Sequence, residues 1–366
     1  MNQINTLIKP TQNCNLRCKY CFHEKYGYSN NLLDIKKLKR YIDLLSINYD
    51  YINLIWHGGE PLLIPLSYYK EIYNYCKEKN IQIKYSIQTN GTLLSQEKID
   101  FFKNNNTNIG LSFDGLKNEY TRSSTKILLD NIKLLQKNNY YPGAIMVVNQ
   151  SNVNNLIEEY EYFKSLNLGM KINPMFKDGA ACKNSNLCLD VNNYIKKFID
   201  LFIYWANDVN CNISVSTFEE LLSLIVNEYS GVCTHNSCLG KWLCLDTDGM
   251  IYPCDRLCTS DYKLANIEEI SSIEEAFASS NFLRLLKESV IRRTKCIKNC
   301  EYYKSCYSGC NANAILNYEN DFVSTHCVHK EILKLIKDYI INSNNRISSM
   351  NDSYKRILTK KIGKDL

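Results

Sequence analysis

The sequence contains no apolar run approaching the roughly 18 residues that a membrane-spanning helix needs, so no such span is expected. It also lacks an apolar signal region at its N-terminus, where strand-like residues begin by Ile4. A cytoplasmic location without a membrane partner is therefore expected. No sign of charge dominates. Lys and Arg number 44 against 38 Asp and Glu, a formal net charge of +6 over 366 residues, with the two signs interspersed. That describes an ordinary solvated surface and not a nucleic-acid footprint. There is no internal repeat. A hydrophobic content of 45% with 22% charged residues belongs to a soluble globular protein, and the length suits a large domain plus a smaller one.

What the chain has in excess is cysteine. Seventeen are many for a cytosolic protein, where disulfides rarely persist, so metal ligation is the expected use. Three of them crowd into Cys14-Asn15-Leu16-Arg17-Cys18-Lys19-Tyr20-Cys21. A zinc site usually takes paired thiolates plus a second pair further along, and a disulfide takes two cysteines. Three thiolates spaced x3 then x2 can instead hold three irons of a [4Fe–4S] cube and leave the fourth without a protein ligand. Tyr20, just before the last cysteine, offers a ring beside which a planar group could pack.

Around this loop the first half of the chain alternates. Strands are expected at 4–8, 51–56, 82–88, 109–113, 143–149 and 170–175. Helices are expected near 32–45, 67–79, 95–104, 125–138 and 154–166. Such alternation predicts right-handed βαβ units and a parallel sheet. Six units suggest an α/β fold of the partial (β/α)6, TIM-like barrel type, with functional residues at the C-terminal ends of strands. The cysteine loop, Gly58-Gly59-Glu60-Pro61 and Asn90-Gly91 all follow strands and fall on that face. Near residue 180 the texture changes. Helix-like stretches at 192–207 and 217–228 lead into a cysteine-rich region with a hairpin at 245–252 turning at Asp248-Gly249. Helices near 272–287 and 329–341 follow. The domains expected are 1–215 for the barrel, 216–343 for the cysteine-rich domain, and 344–366 for a basic tail, either a surface helix or frayed.

Glycines at 58 and 59 would let backbone approach a ligand closely, and Glu60 could accept hydrogen bonds from an ammonium group. Cysteine loop and Gly-Gly-Glu together resemble the CxxxCxφC and GGE motifs of the radical S-adenosylmethionine (SAM) enzymes, over roughly residues 4–340. The resemblance implies that Cys14, Cys18 and Cys21 hold a [4Fe–4S] cluster. Its open iron would chelate SAM, and one electron would cleave SAM to a 5′-deoxyadenosyl radical that abstracts a substrate hydrogen atom. It further implies that Tyr20, Gly58, Gly59 and Glu60 line the SAM site. Gln88-Thr89-Asn90-Gly91 is similar to a QTNG stretch of the same subgroup. Ser112, in Ser112-Phe113-Asp114-Gly115, and Arg122 would meet the methionyl carboxylate. Met175 would meet adenine through its backbone.

The later cysteines resemble the SPASM domain, whose pattern is G-x4-C, C-x2-C-x5-C-x3-C and a last cysteine. Here Gly249 precedes Cys254, and Cys296-x3-Cys300-x5-Cys306-x3-Cys310 departs by one residue in its first pair, with Cys327 beyond. The resemblance implies two auxiliary [4Fe–4S] clusters, hence three in all. Cys233, Cys238, Cys254 and Cys310 are assigned to one, and Cys296, Cys300, Cys306 and Cys327 to the other, with Cys244 an alternative to Cys233 or Cys238. Eight thiolates would also suit two zinc sites. Cys76 and Cys211 read as buried thiols, and Cys182 and Cys188 lie in the loop leaving the last strand.

Asp255 directly follows Cys254. A carboxylate fixed there could take the proton released when a substrate radical is oxidised, the role its match has in sulfatase-maturating enzymes. The leading expectation is an enzyme that oxidises or cross-links a side chain of a ribosomally made precursor peptide. The alternative is a sulfatase maturase that oxidises Cys or Ser to formylglycine. Compact length and Asp255 favour the sulfatase. The altered segment 116–123, and His57 where Gln would be expected, favour the peptide. A non-catalytic cluster scaffold is the third reading; Glu60 and Ser112 argue against it. The family resemblance also implies a low-potential electron donor such as flavodoxin or ferredoxin.

Overall fold

The computed structural model describes residues 2–227, 233–235, 238–316 and 327–362. Six parallel strands run in sequence order across one sheet: β1 (Gln3–Ile8), β2 (Tyr51–Trp56), β3 (Ile83–Thr89), β4 (Asn108–Ser112), β5 (Gly143–Val148) and β6 (Gly169–Pro174). Each expected strand is found within a residue or so of its expected ends. In β2 every second residue (Ile52, Leu54, Trp56) is fully buried, the alternation of a strand with one face in the core.

Helices Ile35–Asn48, Leu66–Glu78, Gln96–Asn104, Thr125–Lys137 and Leu156–Ser165 return the chain between strands. Their starts follow from local chemistry. The Asp34 carboxylate accepts from the backbone N–H of Lys36 and Lys37, and the Ser95 hydroxyl from that of Lys98. Trp56, Tyr69 and Phe102 pack edge to face between the sheet and these helices, in the order Trp56–Tyr69 at 5.0 Å and Tyr69–Phe102 at 5.6 Å.

The cysteine-rich part does not stand apart from this sheet. Its strand β7 (Trp242–Leu245) pairs in parallel with β1, Asn5 opposite Trp242 through Ile8 opposite Leu245. The short strands β8 (Met250–Tyr252) and β9 (Ala265–Asn266) extend the sheet to nine strands, in the order β6-β5-β4-β3-β2-β1-β7-β8-β9. The β1 edge, which would otherwise present unpaired backbone groups, is thereby covered. A boundary at residue 215 separates the chain in sequence but not the sheet.

One expectation is corrected. The helix expected at 272–287 is two helices, Ile273–Phe277 and Ser280–Asn299, because Ser279 leaves the first and caps the second through the N–H of Phe282. The second helix runs far enough to carry Cys296 in its last turn. Of the two forms expected of the tail, the helix is found over its described part. Helix Asp352–Ile362 buries Tyr354 fully, and the N–H of Asn351 donates to the carbonyl of Ala206 at 2.9 Å. Residues 1, 228–232, 236–237, 317–326 and 363–366, which the expected segments include, lie outside the described residues. No helix among the described residues is long and apolar enough to cross a membrane.

Glu159, on helix Leu156–Ser165, is fully buried below the end of β4. Its Oε2 accepts from the N–H of Leu116 at 2.8 Å, while Oε1 has no partner. Burial pushes this carboxyl up to about 7. A carboxyl whose folded pKa lies above its unfolded value contributes stability below the unfolded value and loses it as pH rises through about 7. Glu159→Gln, which has no charge to bury, should therefore gain stability relative to the parent between about pH 5 and pH 8, by up to about 3 kcal/mol. Thermal midpoints of both proteins at the two pH values test this. An equal difference at both would mean that the carboxyl is ionised throughout.

Candidate active site

The strand ends bring three loops together above the sheet. Lys9–Asn13 leads from β1 into the cysteine loop, and the turn after β2 clamps it. His57 N–H donates to the Ile8 carbonyl at 2.9 Å, Gly59 N–H to Thr11 at 3.1 Å, and Glu60 N–H to Asn13 at 2.8 Å. Gly58 adopts φ +111°, and a Cβ on Gly59 would overlap the carbonyl of Asn13. The close approach that these glycines permit in this structure is thus between backbone and backbone, and it fastens the cysteine loop.

Glu60 is buried and already engaged. Its Oε1 accepts from Leu62 N–H at 2.9 Å and Thr89 Oγ1 at 2.6 Å, and Oε2 from Asn90 N–H at 2.8 Å. These bonds tie the loop after β2 to the loop after β3, and Oε2 keeps one lone pair for an external donor. Glu60→Gln, which retains one acceptor oxygen and removes the charge, should weaken SAM binding by roughly 1.5–3 kcal/mol if an ammonium is lost as a donor to that oxygen. Calorimetric titration measures this; unchanged affinity would make Glu60 a loop tie only. Glu60→Ala should in addition lower the thermal midpoint, because three buried donors lose their acceptor.

Cys14, Cys18 and Cys21 all lie on this face, partly buried. The Cys14 sulfur accepts from Leu16 N–H at 3.4 Å, and Cys18 from Arg122 Nη1 at 3.6 Å. Burial pushes the Cys14 thiol up to about 12 and raises that of Cys18. Thiolates here therefore need bound cations to hold their charge. Three thiols, two of them with N–H donors aimed at sulfur, fit an iron–sulfur cube that leaves one iron open.

Asp114, which pattern reading took only as part of a strand end, organises the neighbouring residues. It is fully buried, and Oδ2 accepts from the hydroxyls of Tyr20 and Thr121, with Arg122 Nε at 3.4 Å. Oδ1 accepts from Val147 N–H at 3.0 Å. Arg122 lies 5.2 Å over the Tyr20 ring. Its guanidinium is thus held between Asp114 and the Cys18 sulfur. Ser112 Oγ accepts from Gln88 Nε2 at 3.0 Å at the end of β4, and Met175 N–H donates to the Val148 carbonyl at 2.7 Å just past β6.

The later thiols gather as two groups. Cys233, Cys238, Cys254 and Cys310 are partly buried near one another: burial pushes Cys233 up to about 12 and raises Cys238 and Cys254, with the Cys310 sulfur adding to each. Cys306 and Cys327 are raised in the same way, with Cys296 and Cys300 beside them. Cys244 joins neither group. It lies on β7 with its sulfur 3.8 Å from Cys258, and Cys258 accepts from Lys9 Nζ at 3.0 Å. Lys9 is a fully buried ammonium that also pairs with Asp246 at 3.5 Å. The fold carries Asp255 to the same place: its carbonyl accepts from Lys9 Nζ at 3.3 Å, and its Oδ2 lies 3.9 Å from His57 Nδ1. A residue of the cysteine-rich half thus reaches the loops of the first half.

Residues 8–162 match the model of the radical SAM superfamily. A cysteine-type anaerobic sulfatase-maturating enzyme of Clostridium novyi is 30% identical over 87% of this chain and 91% of its own length. The chain belongs to the radical SAM enzymes. It is closely related to the sulfatase-maturating ones: a serine-type relative from Bacteroides thetaiotaomicron is 28% identical over 84% of this chain and 82% of its own. Among solved structures, native anSMEcpe with bound AdoMet is 25% identical, with a TM-score of 0.81 over 94% of this chain and 100% of that one. Streptococcus suis SuiB, at 16% identity and a TM-score of 0.62 over 89% of this chain and 78% of that one, shares the fold. As a radical SAM enzyme the chain uses SAM and a [4Fe–4S] cluster. Of the two substrate readings drawn from the sequence, these relatives favour the sulfatase over the cross-linked peptide.

Proposed function

We propose that this radical SAM enzyme oxidises a cysteine or serine side chain of a sulfatase to formylglycine. The observation that carries the proposal is the match to the C. novyi sulfatase-maturating enzyme over 91% of that protein's length. Cys14, Cys18 and Cys21 would hold the first [4Fe–4S] cluster. Cys233, Cys238, Cys254 and Cys310 would hold a second, and Cys296, Cys300, Cys306 and Cys327 a third. When bound, SAM and the first cluster supply the radical that takes a hydrogen atom from the substrate. Glu60, Ser112, Arg122, Tyr20, the Gly58-Gly59 turn and the backbone at Met175 surround SAM, with Asp114 orienting Tyr20 and Arg122. Asp255 accepts the proton at its carboxylate oxygen as the substrate radical is oxidised, and the auxiliary clusters, when bound, would supply the electron acceptor. A low-potential carrier of the flavodoxin or ferredoxin kind delivers the starting electron.

The test is an anaerobic assay of the reconstituted enzyme with SAM, reductant and peptides that carry the sulfatase cysteine or serine in its own sequence context. Mass spectrometry should find formylglycine in at least one of them. SAM cleavage with a cross-linked peptide and no aldehyde from either substrate would return the assignment to peptide maturation.

A further inference from the structure

One group of side chains has no part in the chemistry above except through Asp255. His23 lies two residues past the cysteine loop, His57 ends the strand β2 segment, and Asp255 follows β8. Each offers one ligand atom, and these atoms lie within 4.8 Å of one another, the only such trio of His, Cys, Asp or Glu among the described residues. His57 Nδ1 and Asp255 Oδ2 are 3.9 Å apart, and the two imidazole rings have centroids 5.7 Å apart with a 34° tilt. His23 is 6% exposed, and neither of its ring nitrogens has a hydrogen-bond partner; Nδ1 of His57 has none either. Buried polar nitrogens are ordinarily paired. Two adjacent imidazoles with idle nitrogens beside one carboxylate are short of a ligand that takes lone pairs.

The neighbouring positive charge is already accounted for. Lys9, whose charge reaches both rings, is tied to Asp246 at 3.5 Å, to the sulfur of Cys258 at 3.0 Å and to the carbonyl of Asp255 at 3.3 Å. Lys9 is offset first by the Cys258 and Cys244 thiols and Asp246, with Asp255 contributing least, and Lys25, whose charge also reaches His23, pairs with Asp178 at 2.6 Å. We propose that His23, His57 and Asp255 form a site for a divalent first-row cation of the zinc type, with open positions for water or a substrate group. Two histidines and one carboxylate are a ligand set of open zinc sites and of non-haem iron sites. Zinc–nitrogen distances of about 2.0–2.1 Å place ligand atoms about 3.3 Å apart. Asp255 Oδ2 cannot ligate a cation and accept a proton at once, so a cation held here blocks the proton transfer proposed above, and the site rests on that reading only in this competition.

The experiment reads binding and not turnover, so its failure and the failure of the sulfatase reading are separable. Holoenzyme with its full iron content is freed of adventitious metal with a chelator, dialysed against low-micromolar zinc, and analysed for metal by mass spectrometry. The parent should retain one zinc per chain beyond its iron. His23→Ala and His57→Ala should each lose it with iron unchanged. His57→Gln, closer in size, replaces the alanine variant if that one fails to fold, and should lose the zinc as well. No zinc retained by the iron-replete parent would overturn the proposal. So would equal retention by the histidine variants, which would put the metal on spare thiols such as the exposed Cys182.

Discussion

Changing Cys14, Cys18 and Cys21 together to Ala should remove about four of roughly twelve irons from anaerobically reconstituted protein and abolish SAM cleavage. The loop itself should survive. It is held from below by the backbone bonds of His57, Gly59 and Glu60 to Ile8, Thr11 and Asn13, none of which involves a cysteine side chain. The variant should therefore keep its secondary structure and the irons of the later cysteines. Iron analysis with the absorption spectrum, and quantification of 5′-deoxyadenosine, read the two effects separately. A loss of all iron would mean that the later thiols bind no cluster of their own. Stoichiometric zinc with no iron–sulfur absorption in the parent would remove the three-cluster assignment.

The second large effect concerns Asp255. Asp255→Asn should lower modified product by roughly 10²–10⁴-fold, the range for losing a positioned acid or base. 5′-Deoxyadenosine should still form in the presence of substrate. The structure makes this substitution a clean one. The main chain at 255 is fixed through its carbonyl, which accepts from Lys9 Nζ and from Tyr26 Oη, each at 3.3 Å. Asparagine keeps the shape of the side chain beside His57. Product and 5′-deoxyadenosine are measured side by side by mass spectrometry. If both fall together, Asp255 positions substrate; if neither falls, it has no part in the chemistry.

Much of this enzyme was legible in the order of its residues. The strands and helices of the first half were, because each carries its own period, two or 3.6, and its own caps. So was the first cysteine loop, because ligands to one cluster at x3 and x2 spacing are local by necessity. The hairpin at Asp248-Gly249 was local too. What sequence order could not express is contact between distant segments. The pairing of β7 with β1 joins residues more than two hundred positions apart, and nothing in either strand names its partner.

The same holds for site residues that pattern reading passed over. Asp114 looks like the end of a strand until its burial makes it the acceptor for Tyr20 and Thr121 and the partner of Arg122. Lys9 reads as a turn residue before Pro10, yet the added strand β7 encloses it with Cys258 and Asp246. Glu60 and the two glycines were visible as a motif, but only the packed loops decide that one ties strand ends together and the others admit the backbone of the cysteine loop. The type and spacing of local ligands were determined by the sequence itself. The meeting of His23, His57 and Asp255, contributed by three separate segments, was decided by the tertiary fold, because burial and distance are properties of the packed chain and not of its order.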